Sequence, residues 1–307
     1  MKISAVICTY NREEYILDSL MSLRDQTLDR SEYEIILVDN NSTDATPLKC
    51  MEFSRSVSDV NLNYHYYHET RQGLSYARNR GIECAQGEII VFLDDDAVAS
   101  QTYLEEIVAF FEQHTNVSAI GGRIFPKYEK PKPSWMPEVL TPLFSIINLG
   151  EKDKPFRSGK YPIGANMAFR RSVFDVCGGF NTELGRTGKN MMGGEEKDLF
   201  YRMQQHNLFV WYAAKPWVYH IIPESRMTKD FLKNQAIGVG MSENKRTQFS
   251  IGKRMFSYAK ECIKWIGSLF YFFFYAVQLQ FHKAFIIMQF RFWVSSGLLF
   301  GNKKSKS

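Results

Sequence analysis

Paired cysteines are absent from this sequence. Its five cysteines are scattered over 307 residues, and no two of them have the Cys-x-x-Cys spacing of a zinc knuckle or a redox centre. We therefore expect a reducing compartment. The sequence also lacks a Walker A phosphate loop and contains no helix-turn-helix, zinc-finger or RNP signature, so no nucleic-acid partner is expected.

Long polar tracts and a secretory leader pattern are missing as well. With 45% hydrophobic and 23% charged residues, the chain can bury a large core, which excludes a disordered or fibrous protein. The first apolar run, Ile3 to Cys8, is followed at once by polar residues 11–14, so we expect the N-terminus to stay in the cytosol. The length suits one large domain with an appendage.

Positive charge is concentrated in the C-terminal region. Residues 251–307 contain nine Lys and Arg but a single acid, Glu261. Apolar runs span Trp265 to Val277 and Ala284 to Phe300, and as a helix the first would be about 20 Å long, short of the ~30 Å hydrocarbon core. We interpret residues 229–307 as a helical, membrane-associating extension. A helical cap packed within the protein is the alternative, because periodicity does not distinguish the two.

The first half of the chain alternates between predicted strands and helices. Short apolar runs at Ile3 to Cys8, Glu34 to Val38 and Glu88 to Leu93 are typical of strands covered on both faces. Tyr64 to His68 is predicted as a fourth strand at a sheet edge, and Leu74 to Ala85 as a helix. The alternation predicts an α/β fold with a mostly parallel, doubly wound sheet, whose ligand binds beyond the carboxyl ends of the strands.

Polar residues follow three of these strands. The segments are Thr9-Tyr10-Asn11-Arg12, Asp39-Asn40-Asn41-Ser42 and Asp94-Asp95-Asp96. Each alone is compatible with ordinary turn or helix-cap chemistry. Their coincidence at the same end of the predicted sheet indicates one shared crevice.

The three consecutive aspartates are the strongest local feature. Adjacent carboxylates at the end of a buried strand repel one another unless a cation or solvent relieves the repulsion. Oxygen ligands favour Mg²⁺ or Mn²⁺, which commonly bridges carboxylates to substrate phosphates. The sequence therefore predicts a metal site and a phosphorylated ligand, with a solvated acidic loop as the alternative.

Residues 71–81 supply complementary positive charge. Gly73 permits a close backbone approach directly before a helix, and Arg71 and Arg78 are candidates to hold a phosphate or a nucleoside oxygen. An amphipathic helix with solvated arginines is the alternative.

Several segments together resemble the family-2 glycosyltransferases of the GT-A fold. They occur in the expected order over about residues 1 to 230, at 8–12, 38–44, 73–81, 92–97, 164–171, 178–180 and 193–199. The resemblance implies a Rossmann-like GT-A domain, a nucleoside-diphosphate (NDP) sugar donor, a divalent metal and an inverting transfer.

The resemblance also implies roles for individual residues. The expected nucleotide-binding residues are Thr9, Tyr10, Asn11, Arg12, Asp39, Arg71, Gly73, Arg78, Asp94 and Asp95. The expected metal ligands are Asp96, Asp94 and His220. Asn166, Gly194 and Arg226 are expected to contact the donor or acceptor. Glu196 is the expected catalytic base, with Glu195 as the alternative, since Glu stands where Asp is commoner in the family.

These expectations combine into one plan for the chain. Residues 1–228 form the catalytic domain, with a nucleotide-binding half at about 1–122 and an acceptor half at about 123–228, and 229–307 form the helical extension. We expect transfer of a sugar to a glycan or lipid-linked acceptor, in cell-surface polysaccharide assembly at the cytoplasmic side of the membrane. The alternatives are a sugar nucleotidyltransferase and a catalytically silent nucleotide-sugar-binding scaffold.

Overall fold

The structure, a computed structural model, describes residues 1–58, 61–157, 159–188 and 193–301. The strands are β1 (Ile3–Thr9), β2 (Tyr33–Asp39), β3 (Tyr64–His68), β4 (Ile89–Asp94), β5 (Ala97–Ala99), β6 (Val117–Tyr128), β7 (Lys154–Pro155), β8 (Met167–Arg170) and β9 (Phe209–Ile222). The helices are α1 (Ile16–Arg24), α2 (Thr46–Val57), α3 (Leu74–Cys84), α4 (Tyr103–Gln113), α5 (Ser172–Cys177), α6 (Glu195–Gln205), α7 (Lys229–Thr247), α8 (Ile251–Val277) and α9 (Phe281–Phe300). Single 3-10 segments cover Glu138–Phe144, Gly164–Asn166 and Glu224–Arg226.

The strands form one mixed sheet in the order β3-β2-β1-β4-β8-β6-β9-β5, with β7 beside β9. β1 is parallel to both of its neighbours, β2 and β4, and β3 is parallel to β2. The pairs of β8 with β4 and β6, and of β9 with β5, are antiparallel. The predicted α/β class is confirmed, and β3 lies at a sheet edge as expected.

Alternate side chains of the central strands pack into two hydrophobic cores, one on each face of the sheet. One buried cluster contains Ile3, Ile7, Val91 and Leu93, and a second contains Val6, Ile90 and Phe92. Successive side chains of a strand point to opposite faces, so a strand buried on both faces needs a continuous apolar run. This explains why β1 and β4 lack the polar alternation of a half-exposed strand.

The chain divides into two compact units. The first combines residues 1–127, 145–182 and 195–221, and the second combines 128–144, 183–194 and 222–307. Nearly all of the sheet and helices α1 to α6 belong to the first unit, while α7 to α9 belong to the second. The boundary at residue 228 that the sequence suggested stays a prediction.

In the second unit, α7 and α9 approach each other closely at two glycines. A methyl group on Gly240 of α7 would overlap the backbone of Val294, and one on Gly297 of α9 would overlap the backbone of Ile237. Leu232 and Phe290 lie in the apolar core beside this contact. The close approach thus depends on the absence of both side chains.

A polar seam joins α8 to α9. Arg291 Nη1 lies 3.2 Å from Glu261 Oε1, and Ser295 Oγ donates to the same carboxylate at 3.0 Å. Trp265 Nε1 donates to Ser295 Oγ at 2.9 Å, and Arg291 Nε donates to Ser268 Oγ at 3.2 Å. The two apolar runs of the sequence lie in α8 and α9 and are helical, as predicted. Polar groups lie where these two helices meet. Among the described residues, no helix is both long enough and apolar enough to cross a bilayer.

We predict that Gly240→Ala destabilises the second unit. The added methyl would force α7 away from α9, and overpacking of this kind costs about 1–3 kcal/mol. Thermal unfolding followed by circular dichroism should show a lower midpoint.

Gly267→Ala is the matched control. Gly267 lies in α8, where an added methyl group would enter open space, and alanine in an exposed helix is favoured by up to ~1 kcal/mol. Equal midpoints for Gly240→Ala and the parent chain would show that the α7–α9 contact adapts without cost.

Candidate active site

Three strand ends meet at one edge of the sheet in the first unit. Because β1 is parallel to β2 and β4, Thr9 lies opposite Asp39 and Cys8 lies opposite Asp94. The polar segments identified in the sequence therefore begin side by side. This carboxyl edge is where α/β sheets bind their ligands.

The loops after β1 and β2 are tied together by hydrogen bonds. Asn11 has a φ of 53°, a left-handed conformation that Asn tolerates, and its N–H donates to Ser42 Oγ at 2.9 Å. Its side-chain oxygen accepts from the Thr43 N–H at 2.8 Å. Asn11 thus braces one wall of the crevice, where Thr9 is buried and Tyr10 is half-buried.

Asp39 is held between two donors. The hydroxyl of Tyr66 on β3 donates to Oδ2 at 2.8 Å, and the Ser42 N–H donates to Oδ1 at 3.0 Å. The carboxylate is thereby fixed at the end of β2.

Asn40 shapes the turn that precedes α3. Its Oδ1 accepts from the Gly73 N–H at 2.7 Å, and its amide donates to the carbonyl oxygen of Arg71 at 2.7 Å. Gly73 has a φ of 144°, which side chains rarely permit. The exposed Arg71 guanidinium makes two hydrogen bonds to Glu69, at 2.9 and 2.7 Å, so its contact with a nucleotide stays a prediction.

The aspartate triplet faces His220 because of strand register. β5 follows the triplet directly and pairs with β9, so that Ala97 lies opposite His220 and the Ile221 N–H donates to the carbonyl oxygen of Asp96 at 2.8 Å. His220 Nε2 lies 3.0 Å from Asp96 Oδ1. One candidate ligand atom each from Asp94, Asp96 and His220 lies within 4.8 Å of the others.

This donor set fits a divalent ion. Carboxylate oxygens suit Mg²⁺ and Mn²⁺, whereas an imidazole nitrogen is a better ligand for a transition metal. Two carboxylates with one imidazole could therefore hold Mn²⁺ as well as Mg²⁺.

Arg12 compensates part of the negative charge. Its Nε lies 3.4 Å from Asp95 Oδ1, and its Nη2 lies 3.8 Å from Asp96 Oδ2. Burial raises the pKa of Asp95 to about 6, although Arg12 opposes this shift. Asp95 is therefore the triplet member that pairs most closely with Arg12.

The glutamate pair meets the aspartate triplet through Arg78. Arg78 Nη1 lies 2.8 Å from Glu195 Oε1, and Nη2 lies 3.0 Å from Glu196 Oε1 and 3.9 Å from Asp94 Oδ1. The Gly164 N–H also donates to Glu196 Oε1 at 3.0 Å. One buried guanidinium thus links acidic groups that lie about a hundred residues apart in the sequence.

Burial and charge act in opposite directions on this cluster. Burial raises the pKa of Glu196 to about 7, although Arg78 opposes the shift. Burial also disfavours the charge of Arg78, yet the pKa of Arg78 is raised because Glu196, Glu195 and Asp94 together outweigh that effect. A carboxylate with a pKa near neutrality next to a permanent cation is suited to accept a proton.

Asn166 makes structural hydrogen bonds. Its Oδ1 accepts from Tyr103 OH at 3.0 Å, and its Nδ2 donates to the carbonyl oxygens of Arg123 at 2.9 Å and Pro216 at 3.2 Å. A sugar hydroxyl would have to displace one of these bonds. Asn166 ends a 3-10 turn that directly precedes β8, and its side chain is buried.

Two predicted residues belong to the second unit. Gly194 has a φ of 101°, next to Gly193, whose N–H donates to Ser242 Oγ at 3.0 Å. Arg226 ends the 3-10 segment Glu224–Arg226. Their contacts with a donor or acceptor stay predictions.

The family model for glycosyl transferase family 2 matches residues 4–178, more than half of the sequence. The chain belongs to this family. It is a glycosyltransferase, as its sequence motifs indicated. Over 248 residues it is 28% identical to the glucosyl-dolichyl phosphate glucuronosyltransferase of Haloferax volcanii, which covers 79% of this chain and 76% of that relative.

Solved structures support the GT-A fold. The mannosyltransferase PcManGT from Pyrobaculum calidifontis, solved with GDP-Man and Mn²⁺, has a TM-score of 0.66 and 16% identity, covering 100% of this glycosyltransferase and 88% of that chain. Residues 1–349 of Staphylococcus aureus TarS with UDP-GlcNAc give a TM-score of 0.54 and 19% identity, covering 96% and 91%. This chain spans 40% of the longer TarS structure.

Sequence reasoning missed several residues that shape the site. Tyr66 supports Asp39 and belongs to no motif of the sequence, and Asn40 supports Gly73, a role that its place in the segment Asp39-Asn40-Asn41-Ser42 does not reveal. From the sequence alone, Gly164 is recognisable only as the first residue of the segment 164–171 that resembles the family. The pairing of Arg78 with Glu195 and Glu196 was missed because these glutamates lie on a helix more than a hundred residues further along the chain.

We predict that Asp96→Ala and His220→Ala each weaken Mn²⁺ binding. Substitution of groups that merely support metal ligands costs about 10-fold to 100-fold in affinity, so loss of a ligand should cost at least about tenfold. Titration of free Mn²⁺, followed by electron paramagnetic resonance, measures this directly.

His206→Ala serves as the control, since His206 is exposed at the end of α6. Unchanged Mn²⁺ affinity in both ligand variants would show that the ion binds elsewhere.

Proposed function

We propose that this glycosyltransferase moves a sugar from an NDP-sugar to an acceptor hydroxyl with inversion at the anomeric carbon. One observation carries the proposal: Arg78 holds Glu196 and Asp94 at one site, so a proton acceptor and a candidate metal ligand share the same crevice. An inverting single displacement needs a base on the side of the acceptor and charge compensation on the side of the leaving group.

Glu196 is the base in this proposal. Its side chain is 19% exposed, whereas that of Glu195 is 5% exposed, so Glu196 is the more accessible of the two to an acceptor. It accepts the hydroxyl proton while the oxygen attacks the anomeric carbon. Glu195 remains a buried partner of Arg78.

The nucleotide occupies the crevice at the carboxyl ends of β1, β2 and β4. Asp39 accepts a hydrogen bond from the nucleobase, and residues 9–12 line the nucleoside pocket. Asp94, Asp96 and His220 would hold Mn²⁺ or Mg²⁺, which supplies positive charge against the departing diphosphate. PcManGT binds GDP-Man and TarS binds UDP-GlcNAc, and both have this fold.

The acceptor is a glycan or a lipid-linked saccharide of the cell surface. The relative that matches most of this chain is named for action on a glucosyl-dolichyl phosphate. A lipid-linked acceptor would bring this glycosyltransferase to a membrane surface. The surface of α8 in the second unit also supports a location at a membrane.

An apolar stripe covers one side of α8. It consists of Ile263, Ile266, Phe270, Phe273 and Val277, spaced three and four residues apart and between 63% and 83% exposed. A contiguous exposed apolar surface of this kind marks an interaction site. Helices that lie in a lipid interface bury such a face among the acyl chains.

Lysines near the apolar stripe add attraction to anionic lipid. Lys253, Lys260 and Lys264 of α8 are exposed. Each cation near an anionic membrane contributes about 1 kcal/mol. We therefore place the protein peripherally on the cytoplasmic side of the cell membrane, with α8 against the lipid.

We predict that Glu196→Gln lowers the rate of sugar transfer by about 10²–10⁴-fold and leaves nucleotide affinity within about twofold. Glutamine retains the hydrogen-bonding shape but cannot accept the proton, and general base catalysis contributes about 10²–10⁴-fold. Release of nucleoside diphosphate from UDP-GlcNAc, UDP-glucuronic acid and GDP-mannose, with and without Mn²⁺, measures turnover. Calorimetry with UDP or GDP measures affinity.

Glu112→Gln, at an exposed position of α4, is the control. If Glu196→Gln turned over at the parent rate, the catalytic base would have to be a different residue. Release of pyrophosphate in place of nucleoside diphosphate would favour the nucleotidyltransferase alternative.

We predict that the double variant Phe270→Glu and Phe273→Glu loses membrane binding. Two carboxylates in the apolar stripe repel anionic lipid and remove about 1.5–3 kcal/mol of apolar burial per side chain. Co-sedimentation with vesicles of phosphatidylcholine and phosphatidylglycerol should fall at least about tenfold.

Leu48→Glu is the control, because Leu48 is 60% exposed on α2 in the first unit. Equal co-sedimentation of the double variant and the parent chain would contradict the lipid assignment of α8.

A further inference from the structure

We propose that Arg78 is a positioning residue, which fixes the carboxylate of Glu196 for proton transfer, and that it is not a ligand of the donor phosphates. The inference rests on the proposed function, in which Glu196 is the base. It assigns to Arg78 a different role from the nucleotide contact that its sequence motif suggests.

The guanidinium is enclosed by the protein. The side chain of Arg78 is 3% exposed, and its two terminal nitrogens are directed to Glu195 and Glu196. The guanidinium carbon lies 5.9 Å from the ring centre of Phe92 and 5.2 Å from that of Phe180. Arg78 Nη2 also lies 3.9 Å from Asp94 Oδ1, so a diphosphate would have to compete with three carboxylates in a site from which water is largely excluded.

The segment around Phe180 is itself anchored next to Arg78. The Phe180 N–H donates to Asn79 Oδ1 at 2.7 Å, and Asn79 Nδ2 donates to the Phe180 carbonyl oxygen at 2.9 Å. The aromatic wall beside the guanidinium is therefore fixed by the residue that follows Arg78 in α3.

Gly164 provides a second, independent constraint on the same contact. A methyl group at this position would overlap both Arg78 Nη2 and Glu196 Oε1. Its N–H also donates to that Glu196 oxygen at 3.0 Å. The φ of Gly164 is not positive, so the glycine is required for space and not for backbone conformation.

Glu196 Oε1 is therefore held by two donors from separate elements, the Arg78 guanidinium and the Gly164 N–H. A positioned base loses rate steeply when it moves, and about 1 Å of displacement can cost on the order of 10²-fold. The positioning role predicts a loss in kcat with little change in nucleotide affinity. A phosphate-binding role predicts the reverse.

The test compares Arg78→Lys, Gly164→Ala, Glu196→Gln and the double variant Arg78→Lys with Glu196→Gln. Lysine keeps the positive charge, but it lacks the planar guanidinium with which Arg78 donates hydrogen bonds to both glutamates at once. Gly164→Ala keeps an arginine at position 78 but disturbs its contact with Glu196, so this variant still tests the inference if Arg78→Lys does not fold. Arg80→Lys is the matched control, since Arg80 is a partly exposed residue of α3 that pairs with Glu83 at 3.4 Å.

The readouts are kcat and KM for nucleoside diphosphate release, with the most active donor among UDP-GlcNAc, UDP-glucuronic acid and GDP-mannose. They also include UDP and GDP affinity by calorimetry and the unfolding midpoint. We expect kcat to fall about 10²-fold in Arg78→Lys and Gly164→Ala, with nucleotide Kd within about twofold. We expect the double variant to be no slower than Glu196→Gln alone, because residues that act as a unit are non-additive.

Four results would overturn the inference. A Kd raised tenfold or more with kcat unchanged in Arg78→Lys would make Arg78 a nucleotide ligand. Additive losses in the double variant would show that Arg78 acts independently of Glu196. Normal turnover in Glu196→Gln would refute the proposed base and this inference together, whereas an inactive Glu196→Gln with a fully active Arg78→Lys and Gly164→Ala would refute the inference alone.

Discussion

Parallel pairing of β1 with β2 and β4 is the constraint on which the candidate active site depends. It places the carboxyl ends of three strands side by side, so that Asp39 and the aspartate triplet start from neighbouring positions. The antiparallel return of β9 against β5 then brings His220 to the same edge from a distant part of the sequence. Hydrogen bonds that the side-chain oxygens of Asn11 and Asn40 accept from backbone N–H groups fix the intervening loops. Site geometry is therefore a consequence of strand register.

The concentration of carboxylates at this edge requires compensating cations. Burying a charge is costly unless it is paired and hydrogen-bonded, and removal of one partner leaves the other uncompensated. Arg12 serves Asp95 and Asp96, while Arg78 serves Glu195, Glu196 and Asp94. Each arginine faces acids from more than one position, so each of these carboxylates has a cationic partner within the protein. The stability of the site and its chemistry are thus coupled through the same two side chains.

The sequence predicts the fold better than it predicts individual contacts. Continuous apolar runs specified β1, β2 and β4 to within about a residue at each end, because a strand buried on both faces tolerates few polar residues. Motif order was enough to indicate the family. The hydrogen bonds of Asn166 and the partners of Arg78 could not be predicted, since they depend on how distant segments pack. The hydrogen bond from the Gly164 N–H to Glu196 shows the same limit, because it joins residues that are distant in the sequence.

The contact between α8 and α9 is partly polar. Water-soluble helices associate by hiding apolar side chains from solvent, as Tyr275 and Ile287 do here, but Glu261, Arg291 and Ser295 add hydrogen bonds to the same contact. Among hydrocarbon chains the association of apolar surfaces brings no hydrophobic gain, whereas hydrogen bonds between helices still hold them together. Because part of the contact between α8 and α9 consists of hydrogen bonds, the cohesion of this helix pair depends less on the surrounding solvent than the cohesion of a purely apolar pair would.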